Sequence, residues 1–219
     1  PLPFTNAIEN SVFSLEADVY LVDSILMVAH DKKDIRPSAT LYQLYLLPFI
    51  ERYRQYHGFA TADKHYKPVL VIDIKENSAA VIQQLIALLE KYKTVFDRSS
   101  NPAAVQVVLS GDRGPINKWG SYPSFIFFDG RPYENYDIAA LQRVAFISDT
   151  YFNYFNRQDS TNTSKLESLV KKVHAMNKLL RVWAMPDEPA SWQLQRRLGI
   201  DIINTNKVSE CRNYFLKNQ

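Results

Sequence analysis

The stretch SLEADVYLVDSILMVAHD, Ser14–Asp31, and its counterpart PVLVIDIK, Pro68–Lys75, read as strands that carry charge where a strand core is apolar. Successive strand side chains point to opposite faces, so Glu16 and Asp18 share one face while Leu15, Ala17 and Val19 share the other. Asp73 and Lys75 repeat that arrangement, with Val71 on their own face. If the two strands are neighbours, the Glu16, Asp18 and Asp73 carboxylates and the Lys75 ammonium converge at one end. Bare carboxylates about 4 Å apart repel by roughly 4 kcal/mol per pair at an effective dielectric near 20. Such a cluster calls for a cation or for shared protons. One hard divalent ion with oxygen ligands, Mg²⁺ or Ca²⁺, is the simplest answer, and a salt-bridge network around Lys75 is the alternative.

The remainder of the chain is ordinary in composition: 219 residues, 46% hydrophobic and 22% charged, enough for one large core. A net charge of +3 without a dense Lys/Arg run suits an anionic substrate and offers little to nucleic acid. The single cysteine, Cys211, excludes an intrachain disulfide and a thiolate metal cage, and reads as a packed thiol. No apolar run has the 18 or so residues of a membrane span, and no signal peptide is evident, although the chain opens at Pro1 rather than Met.

Further strands are expected over Ala104–Ser110, Ser124–Phe128, Val144–Ser148, Leu179–Met185 and Ile200–Thr205. Helices are expected from Thr40 (with Pro48 as a kink), over Ser78–Phe96, Thr163–Asn177 and Pro189–Leu198, and over Val208–Leu216. The aromatic segment Tyr151–Phe155 and the polar stretch Gln158–Ser164 read as loop. Apolar strands alternating with helices imply parallel pairing through right-handed crossovers. About seven of them in one domain, 1–219, favour a (β/α)8 TIM barrel over an open sheet. The polar residues Glu16, Asp18, Asp73, Lys75, Ser110, Asp129, Ser148 and Asn204 fall at strand ends that run into helices, the rim where barrels build active sites.

Through E-x-D at Glu16 and Asp18, HD at His30-Asp31 and D-x-K at Asp73 and Lys75, the chain resembles the glycerophosphodiester phosphodiesterase and phosphatidylinositol-phospholipase-C-like barrel superfamily. RVWAMPDE and LGIDIINTN, within Arg181–Asn206, look like that family's late tryptophan and closing segment. Asp rather than Glu two residues before Lys75 is similar to the sphingomyelinase-D-like branch, and EADVYLVDSILMVAHD is similar to a bacterial and fungal group of phosphodiesterase-like proteins. That group carries a histidine-bearing first strand, and no such segment precedes Glu16, so the first strand of the barrel is expected to be incomplete here.

The resemblance implies a metal-dependent phosphodiester hydrolase acting on glycerophosphodiester or phospholipid-like substrates. Glu16, Asp18 and Asp73 would hold one Mg²⁺ or Ca²⁺, His30 would be the general acid or base, and Lys75 would contact phosphate. Trp183 would wall the site, and Arg113 and Arg131 would reach a headgroup, or else be solvated loop arginines. Arg181, on the Trp183 strand, needs a partner that the sequence does not name. A small-molecule or lipid phosphodiester is the expected partner, with transient membrane-surface contact, no nucleic acid and no obligate protein partner. A secreted or periplasmic location goes with the family. The other reading is a catalytically impaired barrel that binds a phosphorylated or sugar-like ligand.

Overall fold

The computed structural model of the chain describes residues 3–155 and 162–218, so most of the polar stretch Gln158–Ser164 lies outside the described residues. It divides into two compact units, Pro1–Phe128 with Ile138–Arg143, and Asp129–Asp137 with Val144–Gln219.

In the first unit, α1 (Pro3–Glu9) leads into β1 (Ser14–Val22) and β2 (Ile25–Val28). Asp23 and Ser24 both take positive φ, 48° and 63°, a two-residue turn whose twist suits a hairpin. β1 and β2 accordingly pair antiparallel with Val22 opposite Ile25, so β2 departs from the parallel pairing expected of the chain as a whole. β3 (Val69–Ile74) lies parallel on the other side of β1, with Asp18 opposite Asp73. β4 (Gln106–Gly111) lies parallel on β3, with Asp73 opposite Ser110, and β5 (Ile126–Gly130) pairs with β4. This unit therefore orders its strands β2-β1-β3-β4-β5. Val69, Leu70, Val71 and Ile72 are all buried, which is why β3 reads as an unbroken apolar run before Asp73.

Thr40 opens the next helix as expected, its hydroxyl accepting from the backbone N–H of Gln43 at 3.1 Å. Tyr42–Leu46 is wound as a π-helix ahead of α2 (Leu47–Gln55), and Leu47 donates to the carbonyl of Tyr42 five residues back. Pro48 explains the wide turn: proline has no N–H, and its ring crowds the carbonyl four residues earlier, that of Leu44. The single helix expected over Ser78–Phe96 is instead α3 (Ser78–Leu89), a tight turn at Glu90–Tyr92 and α4 (Lys93–Phe96). The break at Tyr92 (φ −134°, ψ 43°) redirects the chain so that Phe96 is buried edge-on to Phe49, ring centroids 6.3 Å apart. Helix α5 (Ile138–Arg143) had no sequence signal, since it is six residues long and buries only Ala140.

In the second unit, β6 (Val144–Thr150), β7 (Leu179–Trp183) and β8 (Ile202–Ile203) are parallel neighbours in that order. They are accompanied by α6 (Ser164–Ala175), α7 (Pro189–Leu198) and α8 (Val208–Lys217). Proline at the start of α7 and Gly199 (φ 83°) after its end mark its limits where the sequence placed them. The Asp187 carboxylate accepts from Trp192 Nε1 (2.9 Å), Thr205 Oγ1 (2.6 Å) and the N–H of Asn206 (2.9 Å), tying the approach to α7 to the approach to α8. Cys211 is buried on α8, and burial, together with the charge of Asp187, pushes its thiol up to about 11, in keeping with a packed thiol.

β4 ends at Gly111 with φ 68°, where a Cβ would collide with the Ile74 carbonyl and the Asp73 carboxylate. Gly111→Ala is expected to destabilise the protein by about 2–3 kcal/mol, read as a lower urea midpoint at unchanged slope. Burial works against the charge of Asp187, but the hydrogen bonds from Thr205, Asn206 and Trp192 outweigh it and hold the carboxyl below its usual range. A depressed folded-state pKa gives stability that is complete above about pH 4 and is lost as pH falls through the lowered value. Asp187→Asn should therefore flatten the acid limb of a stability–pH profile measured by urea unfolding, and an unchanged limb would count against this account.

Candidate metal centre

Glu16, Asp18 and Asp73 are delivered by the parallel pairing of β1 and β3: Asp18 and Asp73 stand in register, and Glu16 lies one pleat repeat before Asp18 on the same face. Oxygen atoms of the three carboxylates lie within 4.8 Å of one another. Lys75 follows β3, held there by its N–H on the Val19 carbonyl (3.0 Å). Its Nζ is 2.9 Å from Asp18 Oδ1 and 2.5 Å from Asp73 Oδ2. Burial opposes the charge on Lys75, but its hydrogen bonds to Asp73 and Asp18 and their charges prevail and raise the ammonium above its usual range.

The hairpin brings His30 to the same place. The N–H of Ala29 donates to the Asp18 carbonyl at 3.1 Å, and His30 Nδ1 then lies 2.8 Å from Asp18 Oδ2 with its side chain 84% exposed. The four residues expected to converge, Glu16, Asp18, Asp73 and Lys75, are thus brought together, and His30 lies against Asp18 beside them.

Three carboxylates against one ammonium leave two net negative charges, and the carboxylate donors are hard oxygens. Charge and donor type fit one Mg²⁺ or Ca²⁺, with Glu16, Asp18 and Asp73 as its protein ligands.

Leu41, Leu44, Tyr45 and Leu47 share one face of a regular helix from Thr40, so the sequence marks Tyr45, in the π-helical turn, only as part of an apolar face. Its hydroxyl donates to the backbone carbonyl of Glu16 at 3.1 Å. Burial first, then the charges of Asp18 and Glu16, push its phenol pKa up, so it stays a donor. The stripe pattern concealed it because a π turn shifts every following side chain around the helix axis, and no residue pattern announces that shift.

The remaining expected site residues have other surroundings. Arg113, after β4, lies over the Trp119 ring (5.2 Å to the centroid), and Trp119 returns a hydrogen bond from Nε1 to the Arg113 carbonyl at 3.2 Å. Trp119 is itself buried and stacked on Phe128 at 4.2 Å, so Arg113 braces its own loop. Arg131 belongs to the second unit. It is 14% exposed, with one guanidinium nitrogen 2.9 Å from Asp129 Oδ2 and 3.0 Å from Ser148 Oγ. Ser148 in turn donates to the fully buried Asp129 carboxylate at 2.7 Å. Trp183 ends β7 at 39% exposure. Arg181 finds a partner in Asn204, whose Oδ1 accepts from its Nε (3.1 Å) and from a terminal nitrogen (2.6 Å).

The likeness to known proteins agrees with this geometry. Over 98% of this chain and 89% of the other, the structure superposes on a glycerophosphodiester phosphodiesterase from Parabacteroides distasonis with a TM-score of 0.62 at 15% identity. A second such phosphodiesterase, from Agrobacterium tumefaciens, gives a TM-score of 0.55 at 13% identity over 94% of this chain and 89% of its own. These likenesses assign the (β/α)8 barrel fold of the phospholipase-C-like phosphodiesterases. Among curated sequences, an altered inheritance of mitochondria protein 6 homologue from Arthroderma benhamiae is 21% identical across 95% of this chain and 76% of its own length. The family model of the AIM6-like phosphodiesterase domain matches residues 1–129, more than half of the chain and the part that holds the whole acidic cluster, and the chain belongs to that family.

Proposed function

We propose that the chain is a phosphodiester hydrolase that works with one divalent cation, Mg²⁺ or Ca²⁺, on a glycerophosphodiester or phospholipid-like substrate. The observation that carries this reading is the convergence of Glu16, Asp18 and Asp73, with His30 bonded to one of them. When bound, such an ion offsets the charge that builds on the phosphoryl oxygens as phosphorus becomes five-coordinate.

The chain's own groups supply the rest. Asp18 engages His30 through Nδ1, which fixes the ring and leaves Nε2 to take a proton from an attacking oxygen or return one to the leaving oxygen. The exposure of His30 gives a bulky diester access to that nitrogen. Lys75 uses its ammonium on Asp18 and Asp73, and an ammonium has three donors, so one is left for a phosphate oxygen.

The first test is hydrolysis of bis(p-nitrophenyl) phosphate and glycerophosphocholine with added Mg²⁺ or Ca²⁺, wild type against His30→Ala. Removal of the general acid or base should lower kcat by about 10²–10⁴-fold while leaving calorimetric cation binding within a few-fold. Tight cation binding with no turnover of either diester would instead favour the ligand-binding barrel. Asp73→Asn is expected to weaken cation binding about 10-fold or more with the fold retained by circular dichroism, and an unchanged dissociation constant would remove Asp73 from the ligand set.

A further inference from the structure

Resting on the cation site just proposed, we infer that Tyr45 is a positioning residue of that site, whose hydroxyl holds the edge of β1 at Glu16, past the end of the β1–β2 register. The hydrogen-bond parity of β1 carries the argument. The carbonyls of Phe13 and Val19 accept from Val69 and Lys75, so the odd-numbered carbonyls of this stretch face β3. Alternate carbonyls of a strand point to opposite edges, so those of Glu16 and Asp18 face the other edge. On that edge the β1–β2 register runs only from Val19 to Val22, and the N–H of Ala29 extends it to the Asp18 carbonyl at 3.1 Å. The next carbonyl along is that of Glu16, beyond the reach of the hairpin, and there Tyr45 Oη donates at 3.1 Å.

The carbonyls of both ligand-bearing residues of β1 are thereby held on the edge away from β3, that of Asp18 by backbone and that of Glu16 by a side chain. The π-helical turn at Tyr42–Leu46, forced by Pro48, is what sets the direction of that side chain. Loss of the hydroxyl removes the hydrogen bond that the Glu16 carbonyl accepts on that edge. The Glu16 carboxylate then samples a wider range and must be ordered again each time a cation binds, a cost that falls on affinity.

The test is calorimetric titration of Mg²⁺ and of Ca²⁺ into wild type, Tyr45→Phe and Tyr42→Phe. Tyr42 lies in the same π turn but bonds Tyr92 Oη at 3.3 Å, so it controls for general loosening. Tyr45→Phe should bind about five-fold more weakly, the worth of one neutral hydrogen bond, and Tyr42→Phe should bind as wild type does. Saturating cation should restore the Tyr45→Phe plateau rate on bis(p-nitrophenyl) phosphate, with only the activation midpoint displaced. A merely structural tyrosine would lower the urea midpoint and leave the dissociation constant alone. Equal affinity in Tyr45→Phe, or equal weakening in both variants, overturns the inference. Absence of cation binding in wild type would sink the cation site itself and this inference with it, an outcome distinct from either.

Discussion

Two carboxylates set opposite one another on adjacent parallel strands are tolerable only with positive charge between them, and the first unit is arranged around that constraint. The in-register pairing that puts Asp18 beside Asp73 is fixed by the apolar residues around it. A slip of one residue would turn Leu15, Ala17 and Val19 to the wrong face and expose the core. With register fixed, repulsion of about 4 kcal/mol per carboxylate pair at about 4 Å must be met locally. Lys75 meets part of it, two residues past Asp73 and on the same face, with its ammonium in contact with both carboxylates.

Lys75 meets only part of it, and the remainder is where chemistry enters. Burial of the ammonium is modest enough that the two aspartates keep it charged, so it lowers the charge of the cluster without neutralising it. The excess is what one divalent ion carries. A cluster with a fourth carboxylate and no lysine would grip the ion harder and offer a phosphate oxygen less positive field. His30 shares Asp18 with Lys75, each on a different carboxylate oxygen, so one side chain orients both the imidazole and the ammonium.

Much of this was legible in the sequence, for reasons that also explain what was not. Period-two alternation placed Glu16 and Asp18 on one face, and a long buried run followed by Asp73 and Lys75 marked a neighbouring parallel strand, because parallel sheets bury both faces. The polar pair Asp23-Ser24 reads as a turn, but its antiparallel consequence depends on backbone φ values that residue type suggests only weakly. The break at Tyr92 was invisible because the apolar stripe continues through Val95 and Phe96, which turn inward again after it. Asn204 as the partner of Arg181 needed the contact of two strand ends, which the spacing between them does not supply. Tyr45 was hidden by a change of helical winding whose only trace in the sequence is Pro48, and that trace reads equally as a kink.

The strand-end charges of the two units show how one residue vocabulary divides between architecture and chemistry. Asp129 and Arg131 balance one another, Ser148 bonds both, and Asp129 and Ser148 are fully buried while Arg131 keeps 14% of its side chain exposed. A buried, balanced pair of this kind gains little net stability, since desolvation offsets the attraction, but removing either partner strands a charge; its use is to fix which side chains meet. The cluster of Glu16, Asp18, Asp73, Lys75 and His30 differs on both counts: its charges do not balance, and its histidine stands in solvent. Sequence alone gives both groups the same appearance, polar residues at the carboxyl ends of apolar strands. Net charge and access to water separate them: the first unit's cluster is unbalanced and open, and the Asp129–Arg131 pair is balanced and largely covered.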